Sequence, residues 1–169
     1  MKRAVFLDRD GVINDNKKPV NNPSDFIFFP WTFEAIGLLN EANFSIFVVT
    51  NQGGIEMGYF SEADLKSIHD HMLEQFMANN IVIDDVKHCP HFKTRCECRK
   101  PLPGMLTSLS QKYDIDLKSS FMVGDREMDI EAGYRAGCTT IKIGKTCPHA
   151  DYTVENLLEA AKLIVAHES

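Results

Sequence analysis

Ala4-Val5-Phe6-Leu7-Asp8-Arg9-Asp10-Gly11, residues 4–11, is the stretch on which the fold turns. Its four apolar residues read as a short buried strand that ends at Asp8. Two carboxylates two residues apart in extended chain, Asp8 and Asp10, project to the same side. Packed together they repel unless a cation holds them. Mg²⁺, a hard ion with oxygen ligands, suits carboxylates shared with a phosphate. Gly11 permits the sharp turn that must follow. An acidic turn closing a strand fits the same residues, and this stretch alone leaves both readings open.

Working outward, apolar runs alternate with helical patterns. A helix is expected over 32–43 and a strand over 44–49 that ends at Thr50. Ser61, with Asp64 three residues on, marks a helix start, and Leu65, Ile68, Met72 and Phe76 follow at helical spacing. A third strand is expected over 81–86, then a loop over 89–99. Pro103 suits the first position of a helix running to Tyr113. A strand over 121–124 ends at Asp125, and a helix over 128–136 stops at Gly137. A strand over 139–143 follows, and Thr153 is expected to cap a last helix reaching Ala166. This alternation implies an α/β fold: a Rossmann-like, doubly wound parallel sheet with helices on both faces. No repeat or linker divides the chain, so residues 1–169 are read as one domain. Residues 16–30, with three prolines and three asparagines, are a loop within it.

In such a sheet ligands bind outside the carboxyl ends of the strands. Asp8 with Asp10, Thr50, and Asp125 all follow strands, and Lys100 follows the 89–99 loop. These groups can therefore converge although they are far apart in the chain. Gly124-Asp125, with Asp129 four residues on, offers further carboxylates, or else a turn and a helix cap. Thr50-Asn51 before Gly53-Gly54 offers a hydroxyl and backbone N–H groups for phosphate oxygens, or else a glycine turn. Arg99-Lys100 supplies positive charge, or else a solvated pair.

The chain has 169 residues and a net charge of −6, with 44% hydrophobic and 25% charged residues. That balance is ordinary for a soluble globular domain and argues against a nucleic-acid partner, which needs a basic surface. No apolar run nears the roughly 20 residues that span a bilayer, and the apolar stretch after Met1-Lys2-Arg3 is too short for a signal peptide. A cytoplasmic monomer is expected, with no membrane partner. In that compartment the five cysteines are not expected to form structural disulfides. Cys89-Pro90-His91, then Cys96-Glu97-Cys98, places four soft or borderline ligands in one loop at about 88–99. They suit a closed, structural, tetrahedral Zn²⁺ site. Cys147-Pro148-His149 lacks a partner pair and reads as a loop. His69, His71 and His167 are expected on helix surfaces, and Trp31 as a packing residue.

In chain order, FLDRDGVIN, VVTNQGG, CRKPLPGM and VGDREMDI resemble the haloacid dehalogenase-like phosphatases, closest to their histidinol-phosphatase and D,D-heptose-1,7-bisphosphate-phosphatase branch. The resemblance covers nearly the whole chain. It implies that Asp8 is the nucleophile and that Asp10 is the general acid and then the base. It implies that Asp8, Asp125 and the backbone carbonyl of Asp10 hold Mg²⁺, with Asp129 behind them. Thr50 and Lys100 would hold the transferring phosphoryl group, and Asn51, Gln52, Gly53, Arg99 and Arg126 would contact substrate. The Cys-x-His and Cys-x-Cys pairs match the branch's zinc loop. The spacing leaves no room for a separate cap domain, so substrate choice falls to residues 16–30, 52–60 and the zinc loop.

The implied substrate is a small phosphorylated metabolite, with D-glycero-D-manno-heptose 1,7-bisphosphate foremost and histidinol phosphate as the alternative. Where the heptose enzymes typically read TNQSG followed by an Arg-Gly pair, this chain has Gly53 and Met57. Arg99, Arg126 and Lys17 or Lys18 are then the cations left for a second anionic group. A non-catalytic binding protein on the same fold is the reading of another class, set against the full complement of catalytic side chains.

Overall fold

The computed structural model describes residues 1–167. Six parallel strands form one sheet in the order β3-β2-β1-β4-β5-β6. They are β1 (Ala4–Leu7), β2 (Ser45–Asn51), β3 (Asp85–Cys89), β4 (Phe121–Gly124), β5 (Thr139–Ile143) and β6 (Tyr152–Val154). The helices are α1 (Thr32–Glu41), α2 (Glu62–Ala78), α3 (Gly104–Tyr113), α4 (Glu127–Ala136) and α5 (Leu157–His167).

Strand side chains alternate between two cores, because successive residues point to opposite faces. Val5, Leu7, Ile46 and Val48 pack with residues of α1, α2 and α5. Ala4, Phe6, Phe47 and Val49 pack with Met105, Leu106 and Leu109 of α3. On that second face α4 lies so close to β4 that a Cβ on its Gly133 would stand 2.5 Å from Met122 Cβ. Burial on both faces explains why β1 and β2 read as unbroken apolar runs. The helices do lie on both faces. Among the described residues nothing of domain size is inserted between the strands: residues 12–30 hold one turn of 3₁₀ helix at Pro23–Asp25.

Several boundaries depart from expectation: β2 runs on to Asn51, β3 runs on to Cys89, and Pro103 is the N-cap of α3 rather than its first residue. The third strand starts at Asp85, not at residue 81. Before it, side chains share the work of the ladder: Asn40 Oδ1 accepts from Val82 N at 2.8 Å, and Asp84, whose N–H donates to the Ile46 carbonyl, accepts from Ile46 N through Oδ2 at 2.7 Å. The first helix ends at Glu41, and Asn43 has the positive φ, 65°, of a residue turning out of a helix. Thr153 caps no helix. It lies in the edge strand β6, paired with Lys142, while Asn156 Oδ1 accepts from Glu159 N at 3.0 Å in the first turn of α5.

Candidate active site

Strand order brings the site together. β1 lies between β2 and β4, where the connections reverse direction, and such a switch point opens a crevice at the carboxyl ends. Leu7 is level with Val48 on one side and Val123 on the other. Asp8 therefore emerges between Thr50 and the Gly124-Asp125 turn. A cleft of about 90 Å³ is lined by Asp8, Asp10, Thr50, Asn51, Lys100, Arg126, Met128 and Asp129.

Lys100 is the organising cation. Only 2% exposed, it places Nζ 2.8 Å from Asp8 Oδ1 and 2.7 Å from Asp129 Oδ1. Its third N–H is given to the Val49 carbonyl at 2.8 Å. Burial alone would lower its pKa, but Asp129 and Asp8 outweigh that and hold it above the usual lysine range. Asn51 fixes the Lys100 main chain, accepting from its N–H at 3.0 Å and donating to its carbonyl at 3.1 Å. Asn51, expected to contact substrate, lines the cleft but spends its amide on aiming Lys100.

The carboxylates differ in what surrounds them. Burial first, and Asp129 second, raise the Asp8 carboxyl well above its ordinary value, and the same two causes raise Asp125. Asp129 has both oxygens engaged, Oδ1 by Lys100 and Oδ2 by Arg126 N at 3.0 Å, which caps α4. Gly124 makes this possible, since a Cβ there would stand 2.1 Å from Asp129 Cβ. Carboxylate oxygens of Asp8, Asp125 and Asp129 lie within 4.8 Å of one another, and Asp125 Oδ1 is buried with no hydrogen-bond partner. An orphaned oxygen beside a second buried carboxylate is a donor set for a hard divalent cation, so these residues fit Mg²⁺.

Asp10 is held apart from that pair. Arg9, 1% exposed, grips it side-on, Nε to Oδ1 at 3.0 Å and Nη2 to Oδ2 at 3.1 Å. Asn14 Nδ2 donates to Oδ1 at 3.0 Å and Gln52 Nε2 to Oδ2 at 3.2 Å. Burial pushes the Asp10 pKa up, but the Arg9 charge and these hydrogen bonds outweigh it, and the net shift is downward. Gln52 also donates to Thr50 Oγ1 at 2.8 Å. Behind Arg9, His69 Nε2 lies 3.1 Å from Nη1. His69, expected on a helix surface, is 8% exposed, and burial, then the Arg9 charge, lowers its pKa to about 3. A neutral imidazole suits a place beside a guanidinium. Sequence reasoning missed both residues, although the only signal was a charge set between two aspartates at a strand end.

Two of the expected substrate contacts, Arg99 and Gly53, stand against the Cys-His loop. Arg99 donates through Nη1 to the His91 carbonyl at 2.9 Å and lies 5.3 Å from the centre of the Phe92 ring, outside the Asp8 cleft. The space beside Gly53 is filled by Arg99 Nη1, 3.0 Å from where a Cβ would be, and that beside Gly54 by the Phe60 ring at 2.5 Å. On the side where a Cβ would be, these glycines admit the protein's own side chains. Arg126 does line the cleft.

In the loop before Lys100, Cys89 Sγ and Cys98 Sγ each lie 3.5 Å from His91 Nδ1. Cys89 Sγ is 3.7 Å from Cys96 Sγ and 2.9 Å from Cys98 Sγ. Bonds of about 2.3 Å to a tetrahedral Zn²⁺ set ligand atoms roughly 3.7 Å apart. Three of the four distances match and the Cys89–Cys98 contact is shorter; as a donor set of three thiols and an imidazole in one loop, the four residues fit Zn²⁺. The Glu56 carboxylate, which the sequence did not single out, accepts from the backbone N–H groups of Phe92, Lys93 and Thr94. It ties the loop after Thr50 to the Cys-His loop. Among the described residues Cys147-Pro148-His149 joins no such cluster, and His149 stacks on Tyr134, ring centres 3.8 Å apart.

Known proteins are similar to this chain. A family model described as HAD-hyrolase-like matches residues 97–160. The D-glycero-alpha-D-manno-heptose-1,7-bisphosphate 7-phosphatase of Campylobacter jejuni is 43% identical over 139 residues, 82% of this chain and 80% of that one. The D-glycero-beta-D-manno-heptose-1,7-bisphosphate 7-phosphatase of Rhodopseudomonas palustris is 40% identical over 142 residues, covering 79% of each. The crystal structure of D,D-heptose 1,7-bisphosphate phosphatase from B. bronchiseptica, complexed with magnesium and phosphate, superposes with a TM-score of 0.90 at 32% identity, over 98% of this chain and 99% of that one. The chain therefore belongs to the haloacid dehalogenase-like phosphatases, in the family that includes the heptose-1,7-bisphosphate 7-phosphatases.

Proposed function

We propose that this protein is a Mg²⁺-dependent phosphatase that removes the 7-phosphate of D-glycero-D-manno-heptose 1,7-bisphosphate through a phosphorylated Asp8. The observation that carries the chemistry is the separation of two carboxylate environments. Asp8 is buried against Lys100 and faces Asp125, while Asp10 is clamped by Arg9, Asn14 and Gln52. The relatives named for this substrate support its identity.

In this reading Asp8 attacks phosphorus as the bond to the leaving alcohol breaks, and Asp10 protonates that alcohol. Because Arg9 and its neighbours favour the Asp10 carboxylate, the proton arrives with the substrate, from the monoanion of the ester. Asp10, again a carboxylate, then takes a proton from the water that attacks the phosphorylated Asp8, and phosphate leaves. The Thr50 hydroxyl holds a phosphoryl oxygen, and the Lys100 ammonium, fixed by Asp8, Asp129 and the Val49 carbonyl, sets its positive charge beside the phosphoryl group, a preorganised stabilisation of the charge that moves. Asp8 and Asp125, with the Asp10 carbonyl, would hold Mg²⁺, which neutralises charge between Asp8 and the phosphoryl group. Cys89, His91, Cys96 and Cys98 would hold a structural Zn²⁺ in the loop leading into Lys100. Residues 1–169 act as one domain, a monomer in the cytoplasm. No helix among the described residues is long and apolar enough to cross a membrane.

Phosphate release is to be measured with the bisphosphate and with histidinol phosphate, with and without Mg²⁺. The bisphosphate should have the higher kcat/KM, and Asp8→Asn and EDTA should each abolish turnover. Activity in Asp8→Asn would refute the mechanism. A tenfold preference for histidinol phosphate, about 1.4 kcal/mol in transition-state binding, would refute the substrate.

A further inference from the structure

His69 is a buried titratable side chain with no task in the chemistry of Asp8 and Asp10. It lies on the stripe of α2 formed by Leu65, Ile68, Met72 and Phe76, all buried, and is the one polar residue among them. A polar group at such a position needs a partner, and His69 Nε2 meets Arg9 Nη1 at 3.1 Å. A guanidinium has five N–H donors and no acceptor. Arg9 is therefore the donor and Nε2 carries the lone pair, which leaves the proton of the neutral ring on Nδ1. From outside, the ring of His88 in β3 closes on His69, ring centres 6.4 Å apart, and Glu62 at the start of α2 holds His88 Nε2 at 3.0 Å.

Arg9 is divided between two partners. Nε and Nη2 hold Asp10, Nη1 is left over for His69, and the guanidinium carbon lies 5.7 Å from the centre of the Phe26 ring. A buried N–H without an acceptor is costly, and a guanidinium that turned to find one would turn away from Asp10. Rival acceptors are close. Beyond His69 a hollow of about 630 Å³ carries the carboxylates of Glu62, Asp70, Asp84 and Asp85 beside one lysine, Lys66. A carboxylate on Nη1 would also share the positive charge that holds Asp10 ionised. A neutral acceptor satisfies Nη1 and leaves that charge to Asp10, and an imidazole with a bare Nε2 is such an acceptor.

We propose that His69 is a positioning residue for the phosphatase reaction: as the neutral Nδ1–H tautomer it anchors Arg9 Nη1, keeps the guanidinium turned to Asp10 and leaves its charge undivided. This rests on the phosphatase reading above and adds to Arg9 the residue that aims it. His69 lies behind Arg9 and is not among the residues lining the Asp8 cleft. Its effect therefore passes through Asp10, into kcat rather than into KM or Mg²⁺ affinity.

Two measurements test this. The first is kcat, KM and Mg²⁺ affinity of His69→Leu, His69→Gln and His69→Glu, with His69→Leu made also in Arg9→Met. Leucine keeps an apolar filling and removes the acceptor, so kcat should fall about tenfold, the worth of one hydrogen bond to a charged group, with KM and Mg²⁺ affinity kept. Glutamine, a neutral acceptor of similar reach, should restore kcat, and glutamate, which shares the Arg9 charge, should not. In Arg9→Met the leucine substitution should cost nothing further. Wild-type kcat in His69→Leu, or the same loss in both backgrounds, overturns the positioning role. The second measurement needs no variant: the imidazole ¹⁵N shifts of His69 in the wild type should show a protonated Nδ1 and a bare Nε2. A protonated Nε2 overturns the proposal even if His69→Leu fails to fold. No turnover in the wild type overturns the phosphatase reading together with the role of His69 in it, whereas a missing Arg9 contact in an active enzyme overturns that role alone.

Discussion

The guanidinium of Arg9 holds the Asp10 carboxylate side-on, with Nε 3.0 Å from Oδ1 and Nη2 3.1 Å from Oδ2. The two are adjacent in the chain, yet Arg9 is buried and Asp10 reaches the cleft. The pair fixes both the direction and the charge of Asp10 without touching the carboxylates that face the cation.

Asp10→Asn should therefore slow turnover by about 10²–10⁴-fold, the usual worth of a general acid–base group, with Mg²⁺ affinity largely kept. Arg9→Met should give a smaller loss of the same kind, seen in kcat rather than in Mg²⁺ affinity. Arg9→Lys should not restore the rate, because lysine cannot copy a side-on fork. Steady-state kinetics and Mg²⁺ titration check all three, and wild-type turnover in Arg9→Met would refute the positioning role.

The metal-free protein should lose stability as pH rises through the titration of its buried carboxylates. Burial and then Asp129 raise the Asp8 and Asp125 pKa values above their unfolded ones. A raised carboxyl pKa stabilises the fold at low pH, and that contribution is lost as pH climbs through the folded value. Mg²⁺ relieves the repulsion, so its stabilisation should be larger at about pH 7.5 than at about pH 5. It should reach about 2.7 kcal/mol when Mg²⁺ is at 100 times its Kd. Thermal melts at both pH values decide this, and equal Tm shifts would contradict it.

Protein purified without added metal should carry one zinc per chain by elemental analysis. Cys96→Ala should lose zinc and lower Tm. Its activity should fall through the displaced Lys100 rather than through lost Mg²⁺ affinity. Full zinc and full stability in Cys96→Ala would show that the cluster does not bind the metal.

Gly11→Ala should abolish activity by disturbing the cation site. Gly11 has φ 89°, and an added Cβ would stand 2.1 Å from Asp125 Oδ2. The left-handed backbone alone costs an L-residue roughly 1–2 kcal/mol. Relief of the clash must move Asp125, so calorimetry should show weakened Mg²⁺ binding. Wild-type affinity in this variant would refute the steric account.

Much of the sheet was readable because β1, β2, β4 and β5 are buried on both faces, and burial writes itself as apolar runs. The edges were not. β3 begins four residues late because the side chains of Asp84 and Asn40 share in the main-chain bonds that a strand would make. β6 is three exposed or half-exposed residues, too short for any period to mark, and its Thr153 resembles a helix cap as well as a strand residue.

Residue type and order determined which groups this protein brings to chemistry: carboxylates, a hydroxyl and a lysine at the ends of buried strands, and four metal-binding side chains in one loop. These are local properties, set by the nature of each side chain and by where apolar runs stop. Only the tertiary structure decided what each group faces. It gave Asp8 a buried ammonium and Asp10 a buried guanidinium, and turned Arg99 and Gly53 toward the Cys-His loop. Charge, solvation and hydrogen-bond partners depend on atoms brought together from distant parts of the chain, and a linear order of residues carries no record of which of them will be neighbours.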